Sequence, residues 1–159
     1  MTRKEQYNQL ILQIAGLIKD ETNLVGILAN VSAALHDTFP ERFFWVGFYL
    51  QENGNMLRLG PFQGSVACYV IPFGKGVCGK AWEEGRTLIV PDVEKFPGHI
   101  ACSSLSRSEI VVPMYDDSHT FRGVLDIDST RLNDFNEDDK EGLERIIELL
   151  MAETHDLFQ

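Results

Sequence analysis

Cys68, Cys78 and Cys102 are the side chains best suited to covalent chemistry, and nine and twenty-three residues separate them. A thiolate is both a nucleophile and a metal ligand, so either role is open. No two of them form the C-x-x-C pair of a zinc ribbon or a thioredoxin-type dithiol. His99 lies three residues before Cys102, which leaves a Cys-Cys-Cys-His zinc site formally open, with the irregular spacing against it. Free cysteines also serve as small buried hydrophobes, and Cys78 in Gly76-Val77-Cys78-Gly79 fits that role equally well. Cys102 is in a different setting. The run from Phe96 to Ser104 has a period of neither two nor 3.6, which marks a loop of the kind that lies over a cleft. His99 and Arg107 lie close by in the chain and would lower a thiol pKa if they also met it in space.

The acidic residues add a second pattern. In Gly123-Val124-Leu125-Asp126-Ile127-Asp128 a strand alternates its faces, so Asp126 and Asp128 share one side, with α-carbons about 7 Å apart. Leu125 and Ile127 then face the core. Glu109 opens the preceding apolar run, Glu109 to Tyr115, which a hairpin returns alongside. Such a pairing leaves open a convergence of the three carboxylates near the Cys102 loop. On spacing alone, a solvated sheet face is the commoner outcome of such a pattern.

These groups need a frame to hold them. Tyr7, Leu10, Ile11, Ile14, Leu17 and Ile18 have helical spacing, and a second helix starts after Asn23 and stops before Pro40. Phe43 to Leu50 reads as a strand, turned at Glu52-Asn53-Gly54 into Met56 to Phe62. The stretch Gly60 to Gly98 is rich in Gly and Pro, with a short helix over Gly76 to Glu84 and a short strand over Thr87 to Val90. A last helix begins at an Asn136 cap, and its apolar positions run on to Phe158. Helices at both ends with strands between predict an α+β domain, its helices covering one face of a largely antiparallel sheet. Gly74-Lys75-Gly76 lacks the other glycines and the Ser/Thr of a phosphate-binding loop and reads as a tight turn.

Composition narrows the functions. The 159 residues suit a single domain, 1–159, with a core of its own, and the 44% hydrophobic content excludes disorder. A net charge of −10 counts against nucleic acid. An odd number of cysteines fits a reducing compartment. No apolar run has the length of a signal-peptide core or a membrane span, so a cytoplasmic, membrane-free protein is expected.

Six segments in order carry a resemblance: Gly60-Pro61-Phe62-Gln63-Gly64 with Ala67-Cys68; Gly74 to Gly79; Val90-Pro91-Asp92-Val93; Phe96 to Cys102; Ser108 to Pro113; and Gly123 to Ser129. Together they resemble the free methionine-(R)-sulfoxide reductases, which are stand-alone GAF domains. The resemblance implies a GAF fold, a six-stranded antiparallel sheet flanked by N- and C-terminal helices, paired as a homodimer. It implies that Cys102 is the nucleophile, Cys68 the resolving cysteine and Cys78 an auxiliary thiol. Glu109, Asp126 and Asp128 match the substrate-binding and catalytic carboxylates, with Glu109 and Asp128 the catalytic ones. Trp45 matches the aromatic wall around the substrate methyl group. Ser103 departs from the acid that commonly follows the nucleophile. The implied activity is repair of the free oxidised amino acid, through sulfenic acid and disulfide intermediates, with thioredoxin as reductant and neither metal nor organic cofactor. A small-molecule-binding GAF sensor is the alternative, although such modules usually sit beside effector domains for which these residues leave no room. A zinc-stabilised interaction domain is the other.

Overall fold

Caps written into the sequence set the helix boundaries. The Thr2 hydroxyl accepts from the Glu5 amide at 3.1 Å and opens α1, Arg3–Ile18. Asn23 accepts from the Gly26 amide at 3.2 Å and opens α2, Leu24–Thr38. Asn136 and Asp139 form a reciprocal capping box at the start of α4, Glu137–Thr154. The computed structural model describes residues 1–158. The expected domain ends on Gln159, which lies outside the described residues.

Between α2 and α4 run six strands and one short helix: β1 Trp45–Glu52, β2 Met56–Gln63, β3 Val70–Pro72, α3 Gly76–Glu84, β4 Leu88–Val90, β5 Ser108–Tyr115 and β6 Phe121–Ser129. They form one sheet in the order β3-β2-β1-β6-β5-β4, with every recorded pairing antiparallel. The β1–β2 turn places Asn53 and Gly54 at φ of 31° and 84°, the left-handed backbone that an Asn-Gly hairpin turn requires.

Strand alternation divides the sheet into two unlike faces. Val46, Phe48, Ile110, Val112, Met114, Leu125 and Ile127 pack under α1, α2 and α4 as the main core. The opposite face carries Trp45, Tyr49, Val111 and Val124, covered by α3 through Val77, Cys78 and Ala81. So the expected layer of helices on one face is correct for the terminal helices, and α3 lies on the other. The strand β3 and a 3-10 turn at Val93–Lys95 were not foreseen, being three residues each inside the Gly- and Pro-rich stretch. α4 gives way after Thr154 to a 3-10 turn, His155–Leu157, where an unbroken helix to Phe158 was expected.

A buried polar knot ties the chain ends together. Fully buried Asp139 accepts from the Tyr7 hydroxyl at 2.6 Å, Arg3 at 2.8 Å and Arg42 at 3.0 Å, which joins α1 and the α2–β1 connection to the start of α4. Gly142 lies one turn further on, against the Tyr7 ring, and a Cβ there would collide with ring atoms. Helix propensity favours alanine at such a site by about 1 kcal/mol. The collision reverses the sign: Gly142→Ala is expected to lower stability by about 1–3 kcal/mol, the cost typical of overpacking. Urea denaturation measures this, and a raised midpoint would contradict the packing described.

Candidate active site

The second sheet face holds the titratable residues. In the antiparallel register Glu109 lies opposite Asp128, and Asp128 also lies opposite Trp45 on its other side. Asp126 sits between Val111 and Gly47. Gly47 is required here because a Cβ would collide with that of Phe62. The space so gained lets the Phe62 ring stack on Trp45 at 5.1 Å, with Tyr49 stacked on the indole at 5.9 Å. The result is an aromatic wall beside three carboxyl groups.

Two loops roof this face. Trp45 Nε1 donates to the Ser65 carbonyl at 3.0 Å and the Tyr49 hydroxyl to the Cys68 carbonyl at 2.9 Å, which fixes the first loop above the wall. The second is the irregular run through Cys102. A disulfide joins Cys68 to Cys102, their α-carbons 5.5 Å apart. Ile100 of the same loop packs on Gly76, at the start of α3. Beneath the roof remains a cavity of about 50 Å³, lined by Trp45, Tyr49, Cys78, His99 and the three carboxyls among others. A larger groove of about 680 Å³ runs between α4 and β5, but no cysteine lines it. Chemistry rather than volume selects the smaller one.

Burial governs the charges. Glu109 is 5% and Asp126 6% exposed, so the solvated sheet face expected from spacing is corrected: α3 and the two loops cover it. Burial pushes the Glu109 carboxyl well above the usual range, and the neighbouring Asp126 and Asp128 push it further. Asp128 is raised well above its usual range as well, by burial first and then by Asp126. Asp126 is raised by burial but drawn back by Glu109, Cys78 and His99 beside it. Asp126 is therefore the member of the trio that ionises first, and its Oδ1 is buried without a hydrogen-bond partner. Burial also raises the Cys78 thiol far above its usual value. The His99 ring is held below the ordinary histidine value, again chiefly by burial, and its Nε2 stands 3.8 Å from Glu109 Oε1. One donor atom each from Cys78, Glu109 and Asp126 lie within 4.8 Å of one another. A divalent cation could use such a set only by displacing the protons that Cys78 and Glu109 hold.

The chain is similar to known proteins over nearly its whole length. Residues 21–152 match the model of the GAF domain family. The chain is 56% identical over 149 residues to GAF domain-containing protein A of Dictyostelium discoideum, covering 94% of this chain and 92% of that one. It is 43% identical over 155 residues to the free methionine-R-sulfoxide reductase of Saccharomyces cerevisiae, covering 94% and 86%. A solved structure of free methionine-R-sulfoxide reductase from Neisseria meningitidis, in complex with its substrate, superposes with a TM-score of 0.93 at 46% identity, covering 98% and 92%. The chain belongs to the free methionine-R-sulfoxide reductase family.

Every residue that the resemblance to this reductase family singled out reaches the one cavity or its roof: Trp45, Cys68, Cys78, Cys102, Glu109, Asp126 and Asp128. The four residues of the formal zinc set are divided, since Cys68 and Cys102 are bonded to each other and Cys78 is buried against the carboxyls. Arg107 is exposed and outside the cavity lining, so of the two candidate thiol partners only His99 comes near. Tyr49 lines the cavity without having been singled out in the sequence, and Phe62 backs Trp45 from outside the lining. The period of two along β1 held the signal for Tyr49, four residues beyond Trp45 on the same face. Phe62 required the close β1–β2 approach at Gly47. Among the described residues no helix is long and apolar enough to cross a membrane.

The raised carboxyl pKa values fix how stability depends on pH. Folded Glu109 keeps its proton where the unfolded side chain, with an ordinary value of 4.5, has lost it. The native state then binds more protons, so stability falls as pH rises above that value, and below it the effect vanishes. Glu109→Gln keeps the shape and removes the ionisation. With the disulfide intact the variant should be more stable than the parent at pH 8, the gain shrinking as pH falls towards 4.5. A denaturation series showing no gain at pH 8 would contradict the neutral Glu109.

Proposed function

We propose that this protein reduces free L-methionine-(R)-sulfoxide to methionine with Cys102 as the nucleophile. The observation that carries the reading is the Cys68–Cys102 disulfide roofing a cavity that combines proton-bearing carboxyls with an aromatic wall. On this reading the disulfide-bonded form is the one that turnover leaves behind. Its cavity of about 50 Å³ has space for a few water molecules, so the substrate enters the reduced form, in which the two loops are not tied. The substrate and its R configuration are those named for the relatives.

In the reaction the Cys102 thiolate attacks the sulfoxide sulfur, and Glu109 or Asp128 delivers a proton to the oxygen. The oxygen passes to Cys102 as sulfenic acid while the substrate sulfur gains two electrons and leaves as methionine. The Cys68 thiol then attacks the sulfenic sulfur; water leaves and the disulfide forms. A dithiol such as thioredoxin reduces it, taking up the disulfide in exchange. Trp45, with Phe62 and Tyr49 behind it, packs against the substrate methyl group. Asp126, whose Oδ1 has no partner, faces the substrate ammonium. Cys78 is an auxiliary thiol held in reserve by its burial. No step calls for a metal or an organic cofactor. The same reading takes residues 1–159 as one GAF domain, acting as a homodimer in the reducing cytoplasm.

Two outcomes test it. Cys102→Ser should abolish methionine release, because a hydroxyl is far less ionised near neutral pH than a thiol. Cys68→Ser should release about one methionine per chain and then stall in thioredoxin-coupled NADPH consumption, since its sulfenic acid has lost its partner. Full single-turnover release by Cys102→Ser would overturn the assignment.

The carboxyls carry the preference for the free amino acid. N-acetyl-methionine sulfoxide keeps the sulfoxide and loses the ammonium, which leaves Asp126 buried without a counter-charge. Sites built on such polar partners reject analogues lacking them by up to 10⁴–10⁵, so a loss of at least ~100-fold in kcat/KM is expected. Equal values for the two compounds would remove the ammonium role from Asp126.

A further inference from the structure

The two loops that supply the disulfide share a property the reaction above does not use. No charged residue occurs in the sixteen positions between Arg58 and Lys75, nor in the eleven between Lys95 and Arg107, apart from the neutral His99. In a chain of net charge −10 with 24% charged residues, two such runs meeting at one point make an uncharged island. Apolar side chains stand open on it: Val66 is 88%, Tyr69 76% and Leu105 58% exposed. Tyr69 adjoins Cys68, Val66 precedes it by two, and Leu105 follows Cys102 by three. With the two cysteine α-carbons 5.5 Å apart, a three-residue reach of at most about 11 Å keeps all three around the disulfide. Neither cysteine is fully buried.

The geometry points to this collar as the docking surface for a small dithiol oxidoreductase that reduces the disulfide, an inference resting on the reductase reading above. The centre of the patch identifies its occupant. A disulfide is opened by a thiolate that reaches a sulfur atom, so whatever covers the collar must present one there. The partner thiolate attacks one sulfur, a mixed disulfide forms, and the other sulfur leaves as a thiolate and takes up a proton. The partner's second thiol then attacks the mixed disulfide. Both cysteines end as thiols, and the partner holds the disulfide, oxidised by two electrons. Interface centres are depleted in charge and enriched in aromatic residues, as this collar is. An acidic partner would meet less repulsion over these uncharged runs than elsewhere on a chain of charge −10.

The test separates docking from chemistry. Protein oxidised to the disulfide with diamide is reduced either by thioredoxin, with NADPH and its reductase, or by dithiothreitol. The variants are Tyr69→Ser, Leu105→Ser and the double variant, all at exposed positions. The double variant should raise KM for the oxidised protein in the thioredoxin reaction at least about fivefold, the loss typical of truncating a contributing interface residue. Its reduction by dithiothreitol should stay at the parent rate. An unchanged KM with thioredoxin overturns the proposal. So does an equal loss with dithiothreitol, which would place the effect in the reactivity of the disulfide. A change in sedimentation between parent and variant also overturns it, because the collar would then join copies of this chain. Methionine release by the reduced parent is measured separately, and its absence would strike the reductase reading alone.

Discussion

Glu109, Asp126 and Asp128 share one sheet face, and beneath α3 and the two cysteine loops they cannot all carry charge. Like charges at such spacing, out of water, push protons onto the groups least able to lose them. The rest of the site is arranged around that constraint. Asp126, nearest to Cys78 and His99, takes the charge, while Glu109 and Asp128 keep protons. In the reaction proposed above, neutral acids already in place near neutral pH can hand a proton to the departing oxygen. The arrangement lowers stability, and the Asp139 knot and the apolar opposite face provide the compensating interactions.

The sheet makes this division possible. Alternation along β5 and β6 sends Ile110, Val112, Leu125 and Ile127 into the main core and turns Glu109, Asp126 and Asp128 the other way. One rigid element thus serves as the wall of the core and as the floor of the site. The roof is different in kind: two irregular loops joined by one covalent bond, over a cavity of about 50 Å³. The disulfide holds the two loops together over the pocket.

The parts legible in the sequence were those governed by local rules. Helix caps at Asn23 and Asn136, the Asn53-Gly54 turn and the shared side of Asp126 and Asp128 all follow from short-range patterns. The burial of that side did not, because α3 and the loops that cover it come from distant positions and leave no mark on the strand itself. The closeness of Cys68 and Cys102 is a tertiary fact across thirty-three intervening residues, and its expectation came from resemblance alone. The meeting of Cys78 with Glu109 and Asp126 went unread, since a cysteine in a short helix looks the same whether it packs on leucine or on carboxyls. Strand β3 escaped for a related reason: three residues ending in proline carry almost no pattern, and pairing with β2 makes them a strand.

Infrared spectroscopy reads the protonation of the pocket's carboxyl groups directly, from the carboxylic-acid C=O stretch. The oxidised parent should show such absorption at pH 7, with one component lost in Glu109→Gln and another in Asp128→Asn. A parent spectrum with no protonated carboxyl at pH 7 would mean that all three acids are ionised, and would contradict neutral Glu109 and Asp128.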